Sequence, residues 1–204
     1  MDDNRSRIVI ERGPFYCTHL QYPDLKDIQD FTCRDDRGRG LVNYLKRRAW
    51  YDECYDAMRT YLVRDTESHE LVGYFSLKAG LVSGEEYVVE DETAFDTLPG
   101  VELANFAVNY EYIKAHPNVK GIGLLIFNDF VLQITKRAAD NIGLQLLYIF
   151  ALPEDKLIER YYEYGFLRLN KKSEENLHHR LKPKYDKGCI FMFQQFDPNA
   201  IEDI

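Results

Sequence analysis

The sequence predicts a mixed α/β fold, a central β-sheet flanked by helices on both faces, formed as one domain over residues 1–204. Three observations carry this. Residues 144–152 (LQLLYIFAL) are almost continuously apolar, the pattern of a strand buried on both faces. Between Asn118 and Asn141, Ile122, Leu125, Ile126, Val131 (with Phe130), Ile134 and Ala138 recur at spacings near three and four, so they share one broad helical face. Strand-like and helix-like segments alternate through the second half, as in a sheet covered by helices. With 204 residues, 45% of them hydrophobic, the chain can bury one good-sized core.

Taken in order, residues 7–11 (RIVIE) alternate apolar and polar and predict a first strand, broken by Gly13-Pro14. Residues 24–31 suit a short helix, and 31–40 form a charged, glycine-bearing loop. Residues 41–55 predict a helix with Leu41, Tyr44, Leu45, Arg48 and Ala49 on one face. Residues 58–64 (MRTYLVR) and 71–77 (LVGYFSL) predict two strands paired as a hairpin around a turn at 66–69. The acidic stretch 85–97 predicts an irregular surface excursion, after which Pro99-Gly100 introduces a strand over 102–108 (ELANFAV). Residues 110–117 lead from it to the glycines at 121 and 123. Past the apolar run, Pro153-Glu154-Asp155 starts a helix over 156–164 that Gly165 stops. Residues 166–169 predict a strand, 170–187 a polar loop with a helical turn, and 189–196 (CIFMFQQF) the closing strand.

Charge and cysteine usage narrow the function. The formal net charge of −8 argues against broad, non-specific nucleic-acid binding, though not against a local basic patch such as Lys46-Arg47-Arg48. A solvated helix face is the plainer account of that patch. Cys17, Cys33, Cys54 and Cys189 are widely spaced, with no C-x-x-C pair, and read as reduced thiols rather than a zinc site or a disulfide frame. No apolar run reaches transmembrane length and the first residues lack a signal-peptide segment, so a cytoplasmic, non-membrane protein is expected.

The junction of strand 102–108 with the helix after Gly121 is the most informative motif. A helix N-terminus leaves backbone N–H groups without partners and concentrates partial positive charge, which suits a phosphate. A dinucleotide fingerprint needs a third glycine where Ile126 stands, and the Gly-Lys-Ser/Thr of a Walker loop is missing. What remains is Asn118-x-x-Gly121-x-Gly123, either a phosphate cradle or a plain turn whose glycines serve packing.

This motif resembles the Gln/Arg-x-x-Gly-x-Gly/Ala signature of the GNAT superfamily of N-acetyltransferases, with Asn118 replacing the usual Gln or Arg. Three further stretches resemble the same superfamily. Tyr161, four residues before Gly165-Phe166, falls on its Tyr-x-x-x-Gly-Phe element, with Arg160 where an aromatic is usual. Glu102–Val108 resembles the strand that pairs with the pantetheine arm. Cys33, Leu45-Lys46-Arg47-Arg48, Arg59-Thr60 and Gly73-Tyr74-Phe75-Ser76-Leu77 are similar to the N-terminal half of toxin-type GNAT enzymes. Together the resemblance spans residues 31–196, with an enlarged connection near 113–117 and a long 170–187 loop as departures.

The resemblance implies a GNAT fold that uses acetyl-coenzyme A as cosubstrate and no metal. It places cofactor contacts on Phe106, Ala107, Val108, Asn118, Val119, Lys120, Gly121, Ile122, Gly123 and Leu124, and gives Tyr161 the role of general acid toward the departing thiolate. Core packing on a short helix is the competing account of Tyr161. A general base is not singled out: Glu102 is a candidate, with His116 and Glu111 beside it. His178-His179 lacks partners at ligand spacing and reads as solvated loop. The reaction expected is acetyl transfer to a primary amine of a small molecule or protein by direct attack. The alternatives are acetylation of an aminoacyl-tRNA, which the toxin-like half favours and the acidic balance opposes, and a non-catalytic acyl-CoA-binding module. A homodimer is compatible with either.

Overall fold

Phe15–His19 (FYCTH) is buried along nearly its whole length, so it lacks the alternation that marks a strand in sequence, yet it is one. In the computed structural model, which describes residues 8–180 and 188–196, it forms β2 between β1 (Ile8–Arg12) and β3 (Arg59–Asp65). Gly13, at φ +54°, turns β1 back onto β2, so Gly13-Pro14 is a hairpin corner rather than the end of a segment. β3 pairs antiparallel with β2 (Cys17 opposite Val63) and with the first part of β4 (Leu71–Val89; Leu62 opposite Tyr74), which is the hairpin expected around 66–69.

The described residues cluster into two compact units. The first joins the chain up to Lys78 to Leu103–Gln133. Its strands are β1, β2, β3, the start of β4 and the end of β5 (Glu92–Val108), and its core includes Leu20, Ile28, Phe31, Leu45, Leu62, Tyr74 and Ala107. Tyr74 is fully buried, with its hydroxyl donating to the Leu41 carbonyl (2.7 Å) and its ring edge-on to Phe31. The helix expected over 41–55 is two helices, α1 (Arg39–Arg47) and α2 (Ala49–Cys54), because Arg48 departs to φ −119°. The segment expected as a short helix near 24–31 is a pair of 3₁₀ turns.

The second unit joins Ala79–Glu102 to the chain from Ile134 on. Here β6 (Leu146–Ala151) pairs in parallel with β5 over Gly100–Glu102, and antiparallel with β8 (Ile190–Gln195), which carries β7 (Leu167–Arg168) on its far side. The apolar run at 144–152 is thus a buried strand as expected. Val82, Leu146, Tyr148, Leu177, Phe191 and Phe193 form this unit's core.

Two expectations are overturned. Residues 85–97 are not irregular: they belong to β4 and β5, which run 19 and 17 residues and meet at a two-residue turn, Glu90-Asp91, with φ of +52° and +64°. Two positive φ values in a two-residue loop match the twist of the flanking strands. Acidic residues are depleted in strands generally, which is why the composition misleads here. The segment 170–187 holds helix α7 (Lys171–Arg180); residues 181–187 lie outside those described. Asn170 caps α7 by accepting from the Ser173 N–H (2.9 Å), and few of its side chains face inward, Glu174 and Leu177 being buried, so no clear stripe shows in sequence. None of the four cysteines is disulfide-bonded.

Candidate active site

In the first unit, Asn109 directly follows β5. Only 7% exposed, it donates to the Leu71 carbonyl (2.8 Å) and accepts from the Thr32 N–H (3.2 Å) and the Glu111 N–H (3.3 Å). The last contact caps α3 (Tyr110–Ala115). α3 leads to His116, whose ring stacks on Tyr112 (centroids 4.1 Å apart) and whose Nε2 lies 2.9 Å from a Glu70 carboxylate oxygen. Tyr112 in turn donates to Asp65 (2.7 Å). The turn between β3 and β4 therefore anchors the chain just before Asn118. This bond to His116 holds the Glu70 carboxyl below its ordinary range.

Beyond that anchor, Gly121 takes φ +68° at the N-cap of α4 (Ile122–Ile126). Nothing lies within 4 Å of where its side chain would stand. Leu125 N–H closes the first helical bond on the Gly121 carbonyl (3.0 Å). No side chain caps the helix and no acid stands in its first turn. The N–H groups of Ile122, Gly123 and Leu124 thus face no acceptor among the described residues, and Lys120 beside them is exposed. A five-residue π turn (Phe127–Val131) follows, burying Phe127, Phe130 and Val131, before the helix continues as α5 (Leu132–Ala139). Three open amides at the positive end of a helix are a fit for the pyrophosphate of a coenzyme.

Gly73 sets the spacing beneath this cradle. A Cβ there would lie 2.8 Å from the Ala107 carbonyl oxygen and 2.9 Å from Ile126 Cδ1. The absence of a side chain is what lets the end of β5 and Ile126, at the end of α4, close on β4. Of the strand residues expected to meet cofactor, Ala107 packs into the core, while Phe106 and Val108 fall on the opposite face of the strand and are half-buried.

The second unit holds Glu102 and Tyr161. Glu102 is half-buried and opposite Tyr148 in the parallel register. Burial, then the Glu102 charge, pushes the Tyr148 phenol up. Gly80 and Gly100 make the slot for that ring: a Cβ at Gly80 would meet the Tyr148 hydroxyl, and one at Gly100 would lie 3.2 Å from the ring.

Tyr161 lies on α6 (Asp155–Glu163), in the last turn before Gly165. Gly165, at φ +88°, sends its N–H to the Tyr162 carbonyl (2.9 Å), and the Phe166 N–H reaches the Tyr161 carbonyl (2.9 Å). This is a Schellman termination, and its usual apolar contact is the Phe166 ring against Tyr161 at 5.5 Å. The Tyr-x-x-x-Gly-Phe spacing therefore has a complete mechanical explanation: glycine supplies the left-handed residue, and the two aromatics clamp the helix end. Tyr164 adds an edge contact at 6.0 Å. The Tyr161 ring is 5% exposed, and its hydroxyl has no hydrogen-bond partner among the described residues. The fully enclosed polar side-chain atoms without a partner are Thr18 Oγ1 and His178 Nε2 among the described residues, so the phenol oxygen is not sealed in. Burial pushes its pKa well up, so it is a phenol and not a phenolate throughout the neutral range.

The other sequence candidates are engaged elsewhere. Glu111, in the first unit, binds Lys114 (2.6 Å) and the Thr32 hydroxyl (3.0 Å), and His116 is held by Glu70. Arg48 pairs with Asp52 (2.8 Å), while Arg47 is exposed. His178 and His179 lie on α7 rather than in a loop. Among the described residues no group of three or more His, Cys, Asp and Glu could hold a metal, and no helix is long and apolar enough to cross a membrane. Sequence reasoning missed Asn109 and Gly73. The first was legible as an N-cap directly after a strand; the second shows only once three elements are seen to converge on it.

No model of a known protein family matches the sequence. Solved structures do. A tyrosine-to-phenylalanine variant of the toxin AtaT, bound to the C-terminus of the antitoxin AtaR and acetyl-CoA, superposes with a TM-score of 0.60 at 15% identity over 90% of this chain and 94% of that one. A tyrosine-to-phenylalanine variant of KacT gives 0.62 at 16% identity over 90% and 95%. AtaT complexed with acetyl-methionyl-tRNA gives 0.63 at 15% over 89% and 94%. The mixed α/β architecture expected from the sequence is borne out, and the chain has the fold of the AtaT and KacT toxins.

Proposed function

We propose that this protein is an acetyl-CoA-dependent N-acetyltransferase that delivers an acetyl group to a primary amine by direct attack. The observation that carries the reading is the opening of α4: a left-handed Gly121 with open space around it, three amides without acceptors, and no capping side chain. Those features go unexplained by packing and are accounted for by a bound pyrophosphate. Asn118–Leu124 would hold the phosphates, with Phe106 and Val108 offering the strand for the pantetheine arm. The cosubstrate supplies an activated thioester, so the protein needs to position the amine, stabilise the oxyanion and deliver a proton to the thiolate.

Tyr161 is the proton donor in this reading. Its raised pKa rules it out as a base. A phenol, with an ordinary pKa of about 10, is a weaker acid than a thiol at about 8.5, and burial widens the gap, so its proton moves as the C–S bond breaks and charge builds on sulfur. Glu102 is the candidate base for the incoming ammonium.

Calorimetry with acetyl-CoA tests the cradle. Gly123→Glu sets a carboxylate among the amides and should cost at least about tenfold in affinity, since like charge replaces a matched anion site. Equal affinity in the two proteins would remove the assignment.

A second reading names the acceptor as an aminoacyl-tRNA. It is favoured by the shared fold with AtaT, a protein captured with acetyl-methionyl-tRNA, and by the basic residues Arg34, Arg39, Lys46 and Arg47 in an otherwise acidic chain, with Arg37 and Arg48 beside them paired to Asp35 and Asp52. Neutralising Arg47 and Arg48 should then slow transfer to an aminoacyl-tRNA, more so at low salt, and spare a small amine acceptor. Loss on both acceptors, or on neither, counts against it.

A further inference from the structure

The stretch 79–99 is a ribbon of β4 and β5 that outruns its neighbours. β3 accompanies β4 only from Leu71 to Leu77, and β6 accompanies β5 only over Gly100–Glu102. Val82 and Leu98 pack into the core of the second unit at the ribbon's base. Farther out that support stops: Tyr87, Val88 and Val89 are 44%, 72% and 50% exposed, and Phe95 and Leu81 are 45% and 58% exposed. An isolated two-stranded ribbon is marginal in water, and three consecutive exposed apolar residues at its end are costly unless something covers them.

The charge of the ribbon says what can cover it. Residues 79–101 carry Glu85, Glu86, Glu90, Asp91, Glu92 and Asp96 and no Lys or Arg, which is most of the excess behind the chain's net −8. A nucleic acid is repelled by that field. A second copy docking ribbon to ribbon would set these carboxylates against one another. Charges alone would be a sufficient device for keeping a lone ribbon soluble, but such a device has no use for Tyr87, Val88 and Val89 in the open.

We propose that the ribbon is a docking surface for a basic protein segment that lies extended along β4, its apolar side chains covering Tyr87, Val88 and Val89 and its Lys or Arg side chains meeting Glu90, Asp91, Glu92 and Asp96. Strand addition to a ribbon joins main-chain pairing with side-chain contacts on both faces, and Tyr87 and Val89 face one side while Val88 faces the other, so the fitting segment carries consecutive apolar residues flanked by basic ones.

The probe is a synthetic peptide of three consecutive valines flanked on both sides by lysines, titrated into the full chain by fluorescence anisotropy at low and high salt. Three controls accompany it. The first is the same peptide N-methylated at alternate amides, which cannot pair as a strand. The second is a variant carrying Val88→Ser and Val89→Ser. The third carries Asp91→Asn, Glu92→Gln and Asp96→Asn; asparagine tolerates the left-handed backbone at 91. Far-UV dichroism and thermal melting check that each variant is folded. The proposal expects each change to weaken binding by about tenfold, as lost apolar cover and lost charge pairs both act on one interface. It also expects slower hydrogen exchange at amides in 79–89 when the parent peptide is bound. Equal binding of the N-methylated peptide, or of both variants, overturns it. So does sedimentation showing that the chain self-associates and that Val88→Ser with Val89→Ser abolishes this, because the occupant would then be a second copy.

Discussion

Gly121 and Gly165 both adopt left-handed backbone at a helix end, and both sit in short motifs that point toward the same chemistry, yet their surroundings differ. Around Gly165 the helix end is accounted for. Its N–H and that of Phe166 close the helix, Phe166 covers Tyr161, and Gln194 donates to the Tyr164 carbonyl while standing 3.1 Å from where a Gly165 side chain would be. Around Gly121 the cap is missing, the first-turn amides are open and the space beside the glycine is empty. One motif is explained by the chain itself and the other asks for an anion. A glycine pattern is therefore informative about a ligand only to the degree that the fold fails to use it.

The sharpest way to break this contrast is Tyr161→Phe. If the Tyr-x-x-x-Gly-Phe element is only a helix stop, the ring contact with Phe166 survives and turnover is unchanged. If Tyr161 is the acid, turnover falls by roughly 10²–10⁴ while acetyl-CoA affinity holds, the usual contribution of a positioned proton donor. Steady-state kinetics beside calorimetry separates the two. Near-full turnover at every pH would pass the test on to Tyr162, which is 48% exposed on the same helix.

A smaller effect is expected from placing alanine at each glycine in turn. Both substitutions force a side chain into left-handed backbone at about 1–2 kcal/mol. Gly165→Ala also presses on Gln194, so it should lower Tm by a few degrees more than Gly121→Ala and leave acetyl-CoA affinity within error. Gly121→Ala has room for its methyl group, so its stability loss is the backbone cost alone, but the shifted amides should weaken acetyl-CoA by about tenfold, the worth of one hydrogen bond to a charged group. Matching affinities for the two variants would mean that the open amides are incidental. The anchor behind the cradle is softer still: His116→Ala frees Glu70, and a few-fold loss of acetyl-CoA affinity with unchanged Tm would mark His116 as positioning the loop.

Much of this contrast was legible from sequence, and the illegible part has physical causes. The helix after Gly121 announced itself through Ile122, Ile126, Val131 and Ile134, all of which are buried, and the strand at 146–151 through its unbroken apolar run. The π turn at Phe127–Val131 was hidden because one extra residue leaves the stripe nearly intact. The ribbon was misread because its turn, Glu90-Asp91, contains neither the glycine nor the asparagine that usually marks a positive-φ pair, and acids surround it. β2 was missed because a strand buried on both faces and only five residues long shows no period. At the candidate site, Gly121 and Tyr161 could be found by spacing, whereas their opposite circumstances depend on Gln194, Phe166 and an absent cap, none of which spacing reports.

The smallest expected effect is the one that tests whether Tyr161 is as enclosed as its 5% exposure implies. Burial holds its phenol above the ordinary value, with Tyr164 adding to the shift and Arg160 opposing it. A group whose folded pKa is raised stabilises the fold fully at pH below its unfolded pKa, about 10 for tyrosine. Above that the unfolded chain ionises while the folded chain cannot, so fewer protons are bound by the unfolded state and stability declines with rising pH until the folded pKa is passed. Tyr161→Phe has no proton to lose and should therefore keep more of its stability above pH 10 than the parent, with no difference between the two slopes below it. Denaturant unfolding at neutral and alkaline pH reads this directly. An identical alkaline slope in the two proteins would mean that water reaches the Tyr161 hydroxyl freely in the folded state. The element around Gly165 would then be as open as the one around Gly121, and the contrast between a motif the fold consumes and a motif left for a ligand would fail at its structural end.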